Sequence, residues 1–154
     1  MGVLRVGICD DGSAICSEIE RIVKEYGKKH DLRLDTEIWS TGEALVDYLE
    51  DGNAIDLLFL DIDLITTSGV DIGQYIRHRL NNYSMKIVFI SANTTYAMSL
   101  FDIMPMNFLV KPLVKSKVEE CLDLAVMFLV KEEKVFQCKV AGKTHYIPFR
   151  SILY

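Results

Sequence analysis

Short apolar runs alternate along this chain with stretches whose hydrophobic residues recur every three or four positions. The runs are Leu4-Arg5-Val6-Gly7-Ile8-Cys9, a segment from Leu34 to Trp39, Leu57-Leu58-Phe59-Leu60, Ile87-Val88-Phe89-Ile90 and Phe108-Leu109-Val110. Runs this short and this continuous are the pattern of strands buried on both faces, as in a parallel sheet covered by helices. Between them the period lengthens to that of a helix. Ser13 is the expected N-cap of a first helix carrying Ile15, Ile19, Ile22, Val23 and Tyr26, with Gly27 as its stop. Ser40-Thr41-Gly42-Glu43 reads as a capping box opening a second helix that holds Leu45, Tyr48 and Leu49 and ends at Asp51-Gly52. A polar loop through Gly69 leads to a third helix with Ile72, Ile76 and Leu80, ended by Asn81-Asn82. A fourth runs from Tyr96 to Ile103 and is stopped by Pro105, and a last one carries Val118, Cys121, Leu122, Ala125 and Leu129 on one stripe.

Five βα units in series imply right-handed crossovers and helices on both faces of one sheet. The expected fold is α/β, a flavodoxin-like doubly wound five-stranded parallel sheet in the order 2-1-3-4-5. In that order the first and third strands are neighbours at the switch point, where ligands of such sheets collect beyond the carboxyl ends of the strands.

The pattern changes after Lys131-Glu132-Glu133-Lys134. Val135 to Val140 alternates, Ala141-Gly142-Lys143 turns, and Thr144 to Ile147 reads as a return strand before Pro148. A lone hairpin is marginal in water, so residues 1–130 are expected to form one domain and 131–154 a linker and a short β-hairpin stub opening a second.

Composition narrows the class without naming a function. In 154 residues, 50% are hydrophobic and 25% charged, ordinary values for one soluble domain with a sizeable core. No apolar run approaches the roughly 18 residues needed to span a bilayer, and the N-terminus lacks the plan of a secretory leader, so a cytoplasmic location without membrane contact is expected. Cys9, Cys16, Cys121 and Cys138 are scattered and read as buried thiols, and His30, His78 and His145 are too isolated for a zinc site. The net charge of −5 divides into +3 from Lys131 onward and −8 before it, so the body offers no electrostatic footprint for nucleic acid.

The chemistry sits at the strand ends. The first run ends on Asp10-Asp11, the third on Asp61, the fourth on Ser91 and the fifth on Lys111-Pro112. One acidic residue after a strand is ordinarily a solvated turn, but five capable residues at four strand ends are hard to assign to turns. Carboxylates crowded at one switch point repel unless a cation joins them. With oxygen ligands and no nearby histidine, Mg2+ fits best, since it takes one or two carboxylates and leaves room for a phosphate. Asp61 could then attack phosphorus, with Mg2+ and Lys111 neutralising the phosphoryl oxygens and Ser91 donating a hydrogen bond to one of them.

Ile8-Cys9-Asp10-Asp11, Leu58-Phe59-Leu60-Asp61-Ile62-Asp63, Val88-Phe89-Ile90-Ser91-Ala92 and Asn107-Phe108-Leu109-Val110-Lys111-Pro112 together closely resemble response-regulator receiver domains, over about residues 3 to 130. Gly69 also stands where that family places a loop glycine. The resemblance implies a signalling switch of a two-component system rather than an enzyme, catalysing at most its own phosphorylation and dephosphorylation. It makes Asp61 the phosphoacceptor for a sensor histidine kinase. Asp11 would hold Mg2+ directly, Asp10 through water, and Asp63 through its backbone carbonyl. Ser91 would move toward the phosphoryl group, Lys111 would pair with it, and Phe108 would be the switch aromatic that follows Ser91. It further implies a cis Lys111-Pro112 bond and homodimerisation on phosphorylation through the face formed by the fourth helix, the last strand and the last helix, where Met98, Met104, Met106 and Met127 would suit an apolar contact. Leu64-Ile65 departs from the usual Met-Pro. Phe136 to Lys139 and Tyr146 to Tyr154 resemble the opening strands of a LytTR-type DNA-binding domain, which would make the whole protein a transcriptional regulator that reads DNA through the rest of that domain.

Two other readings compete. A haloacid-dehalogenase-type phosphatase also uses an Asp nucleophile with a second Asp two residues on, as Asp61 and Asp63 are spaced, but it places its paired metal aspartates after the lysine and needs a cap domain. A pseudo-receiver that only binds partners would not need the full acidic, hydroxyl and lysine set.

Overall fold

The computed structural model describes residues 2–141, and for 95–99 and 131–141 the backbone alone. Strands β1 (Leu4–Cys9), β2 (Leu34–Trp39), β3 (Leu57–Asp61), β4 (Lys86–Ser91) and β5 (Asn107–Val110) form one five-stranded sheet in the order 2-1-3-4-5. All four pairings are parallel. Helices α1 (Ser13–His30), α2 (Gly42–Glu50), α3 (Gly69–Gln74) and α4 (Lys115–Ala141) complete the framework with a π-helical turn, Tyr75–Arg79, and a 3-10 helix, Thr94–Ile103.

Alternation within each strand sends side chains to two cores. Val6, Ile8, Leu57, Phe59, Val88 and Ile90 pack with Ile19, Ile22 and Val23 of α1 and Val118 and Leu122 of α4. Leu58, Leu60, Ile87 and Phe89 pack with Leu45, Ile72, Ile76, Leu100 and Ile103 on the other face. Phe59 and Phe89 are fully buried on opposite faces, and each contributes about 2–3 kcal/mol through apolar area removed from water. Two-sided burial explains why the strands read as continuous apolar runs.

Helix boundaries differ from expectation for identifiable reasons. Gly12, not Ser13, is the N-cap of α1, and Ser13 opens the first turn. Gly27 does not end that helix. It is buried inside it because a Cβ there would lie 3.0 Å from the Leu32 carbonyl oxygen, and the chain turns instead at Asp31 with φ 53°. Asp tolerates this left-handed conformation better than most residues. The capping box is shifted by one: Thr41 is the N-cap, its hydroxyl accepting from the Ala44 amide at 3.1 Å. Glu43 is thereby released to accept from the Thr66 and Thr67 hydroxyls, both at 2.8 Å, across to the loop after β3. The fourth helix is 3-10 in form.

The largest difference lies after residue 130. α4 continues to Ala141, so Val135 to Val140, expected as the first strand of a hairpin, is helical. A helix satisfies its backbone within its own segment, whereas a strand there would need a partner strand outside the five-stranded sheet. The turn and return strand, residues 142–154, lie outside the described residues, as do His145 and the side chains of Cys138, Tyr96 and Met98. No helix among the described residues is long and apolar enough to cross a membrane.

Candidate phosphoryl-transfer site

Backbone hydrogen bonds carry the sheet one residue beyond its strands and fix the site. The Asp10 amide donates to the Trp39 carbonyl, Ile62 to Ile90, and Lys111 to Ser91, at 3.0–3.1 Å. Asp10, Asp61, Ser91 and Lys111 are thus pinned at successive strand ends. Asp10 and Asp61 are each 1% exposed and Ser91 is fully buried, although all three are polar. Asp11, one residue further out, is exposed.

Carboxylate oxygens of Asp10, Asp11 and Asp61 all lie within 4.8 Å of one another. Lys111 reaches in from β5 with Nζ 3.3 Å from Asp10 Oδ2 and 3.5 Å from Asp61 Oδ2. Burial pulls the Lys111 ammonium down, but attraction to these two carboxylates outweighs it and raises its pKa above the ordinary lysine value. Asp61 is pushed up from the usual carboxylate value chiefly by burial and further by the charge of Asp10, against the hydrogen bond from the Asp63 amide and the charge of Lys111. One ammonium cannot neutralise three clustered carboxylates. Asp10 Oδ1 accepts from the Gly12 amide at 2.8 Å, yet Oδ2 is buried and accepts no aligned hydrogen bond despite its ion pair with Lys111. A buried carboxylate oxygen that has only this ion pair, facing two more carboxylates, suits a hard cation such as Mg2+.

Asp63 was expected to matter through its carbonyl, but its other two groups define its place. Its amide donates to Asp61 Oδ1 at 3.0 Å, and its carboxylate accepts the Ser91 hydroxyl at 2.8 Å. Ser91 Oγ in turn accepts from the Asn93 amide at 2.9 Å. Gly69 closes the loop from behind, its amide donating to the Ile62 carbonyl. A Cβ at Gly69 would lie 2.2 Å from the Asp61 carbonyl oxygen, so any other residue would displace the strand end. Phe108 is half-buried against the core that contains Phe89 and Leu100, and the Lys111-Pro112 bond is cis as expected. Cys9, Cys16 and Cys121 are free, buried thiols. Burial, then neighbouring negative charge, pushes Cys9 up to about 12 and Cys16 to about 11, which keeps both protonated.

Residues 6–123 match the family model for the response regulator receiver domain. The chain belongs to that family. It is a receiver domain of the two-component type, a signalling family generally not classed as enzymes, and its members generally use Mg2+ at an acidic site like the cluster found here. It is 28% identical over 120 residues to the sensory transduction protein LytT of Bacillus subtilis and 24% identical over 116 residues to the transcriptional regulatory protein LytR of Staphylococcus aureus. These alignments cover 78% and 75% of this chain but 47% and 44% of the relatives, so the receiver spans less than half the length of the curated proteins it matches. Among solved structures it is similar to the response regulatory domain of protein mrkE from Klebsiella pneumoniae, with TM-score 0.73, 21% identity and coverage of 83% of this chain and 99% of that one. A CheY-like receiver from Methanospirillum hungatei gives TM-score 0.72, 20% identity and coverage of 85% and 99%. At such identities these two likenesses bear on the fold, which they share. Family membership leaves no support for the phosphatase reading.

Proposed function

We propose that Asp61 accepts a phosphoryl group from a phosphohistidine of a sensor histidine kinase. The observation that carries this reading is a carboxylate buried at the end of a central strand with Lys111 Nζ 3.5 Å away and two further carboxylates close enough to share a cation with it. An Asp61 oxygen attacks phosphorus, the new O–P bond forms as the P–N bond to imidazole breaks, and the electron pair leaves with the ring nitrogen, which takes a proton from solvent. Lys111 is already oriented by Asp10 and Asp61 and pairs with the transferred oxygens as charge moves onto them. Asp10, Asp11, Asp61 and the Asp63 carbonyl would hold Mg2+, which when bound supplies positive charge for the phosphoryl oxygens. Ser91 then turns toward the phosphoryl group and Phe108 follows it.

The switched receiver dimerises and so controls a longer protein. The C-terminal extension of α4 links the receiver to a LytTR-type DNA-binding domain, a reading supported by the greater length of the LytT and LytR relatives and by the latter's description as transcriptional regulatory proteins. DNA is bound by that full domain and not by this chain alone, and retention of a promoter fragment by these 154 residues at physiological salt would contradict this assignment.

Intact mass after incubation with acetyl phosphate and Mg2+ tests the acceptor. One added phosphoryl group is expected in the wild type and none in Asp61→Asn. Undiminished labelling of that variant would move the acceptor elsewhere.

A further inference from the structure

The Ser91 hydroxyl has one proton, and in this structure that proton is already committed. It goes to Asp63 Oδ2 at 2.8 Å, from a side chain that is itself fully buried. The same residue, Asp63, gives its amide to Asp61 Oδ1. One residue therefore grips both the carboxylate proposed to receive the phosphoryl group and the hydroxyl proposed to respond to it. We propose that the Asp63 carboxylate is a positioning residue that latches Ser91 in its resting orientation, as an internal anionic competitor for the hydroxyl that a phosphoryl oxygen must win.

Geometry and solvation support this beyond the bond itself. A hydroxyl donating to an ionised carboxylate makes a stronger hydrogen bond than one donating to a neutral oxygen. Ser91 cannot serve two acceptors with one proton, so engaging a phosphoryl oxygen requires release of Asp63. Asp63 is exposed, so water replaces Ser91 on its carboxylate without leaving a buried charge unpaired. Release is therefore reversible and moderate in cost, as a switch between two populated states requires. The Asn93 amide bonded to Ser91 Oγ links the latch to the loop that follows β4 and leads into the 3-10 helix. The position of that loop depends on which acceptor Ser91 faces.

The latch rests on the proposed role of Asp61, and two readouts keep the two ideas separable. In the protein without Mg2+ or any phosphoryl mimic, Asp63→Ala should move the Asn93 amide resonance, and in a Ser91→Ala background the same substitution should leave it nearly still. With Mg2+ and beryllofluoride, a phosphoryl mimic, Asp63→Ala should bind the mimic about fivefold more tightly than wild type, the scale of one exposed charge-assisted hydrogen bond. Asp63→Asn, which keeps an acceptor oxygen without the charge, should fall between the two. In the Ser91→Ala background the gain should vanish, since a double-mutant cycle isolates what the two side chains do together. An equal gain in that background would show that Asp63 acts by direct charge repulsion, and an unmoved Asn93 amide would show that no latch exists; either result overturns the proposal. Failure of the wild type to bind beryllofluoride would instead overturn the role of Asp61, while the Asn93 resonance would still decide the latch.

Discussion

Removing the guanidinium of Arg77 should loosen the edge of the sheet that carries the 3-10 helix. Arg77 is 2% exposed and lies in the π-helical turn. Its Nε donates to the Ile103 carbonyl at 2.7 Å, and Nη1 donates to the Asn82 and Met85 carbonyls at 2.9 and 2.8 Å. A longer fourth contact, 3.4 Å, joins Nη2 to the Met104 carbonyl. Burial lowers its pKa from the ordinary arginine value, against the Tyr83 phenol, but the group remains a cation. Arg77→Met keeps most of the apolar stem and leaves three well-placed carbonyls without a donor. At about 1–3 kcal/mol for each unsatisfied group, and with several kcal/mol regained from no longer burying a charge, the net loss should be about 3 kcal/mol. For a chain of this size that is a fall in Tm of about 6–12 °C. Thermal unfolding followed by circular dichroism measures it, and amide exchange should speed up at Asn82 to Met85 and around Met106. Arg77→Lys, which cannot fan out to three carbonyls, should lose about half as much. A Tm within about 2 °C of wild type would refute the reasoning, because it would mean that water satisfies these carbonyls as well as the guanidinium does.

Gly69→Ala should lower stability by about 2–4 kcal/mol and slow labelling by acetyl phosphate, since its Cβ meets backbone at the Asp61 carbonyl rather than a flexible side chain; unchanged Tm and labelling would contradict this. Mg2+ at about 100 times its dissociation constant should raise stability by about 2.7 kcal/mol in the wild type and much less in Asp10→Asn, measured by urea unfolding with and without the ion. Equal gains in both would remove Asp10 from the site. Phe101 of the 3-10 helix is 85% exposed, and Met104 after it and Val110 of β5 are also exposed. Beryllofluoride should favour a homodimer in sedimentation, and Phe101→Asp should weaken it about tenfold, whereas equal sedimentation with and without the mimic would count against that face.

What was legible in the sequence follows from what constrains each element. Leu57 to Leu60 and Ile87 to Ile90 read plainly as strands because burial on both faces allows little but aliphatic and aromatic residues, and strand order then placed Asp10, Asp61, Ser91 and Lys111 together. Gly27 misled because a glycine required for close packing looks the same as one required for a turn. Arg77 was invisible to periodicity. The stripe of Ile72, Ile76 and Leu80 puts residue 77 off the apolar face, but the widened π turn buries Arg77 beside Ile76 and leaves Leu80 only half-buried. The partners of Glu43 and Asp63 lie 23 to 28 residues away, and no local pattern encodes which of many polar residues in a loop will meet. The spacing Asp61-Ile62-Asp63 was a signal for the last of these, since a strand-end carboxylate two residues on is well placed to reach the neighbouring strand end.

Borohydride trapping tests the role of Asp61 most directly. Hydride reduces an acyl phosphate to an alcohol and leaves free carboxylates untouched, so it marks the phosphorylated residue itself. After incubation with acetyl phosphate and Mg2+, reduction and peptide sequencing by mass spectrometry should find homoserine at position 61 and unaltered aspartate at 10, 11 and 63. Homoserine at any of those three positions, or none anywhere in a protein that has gained a phosphoryl group, would contradict the account.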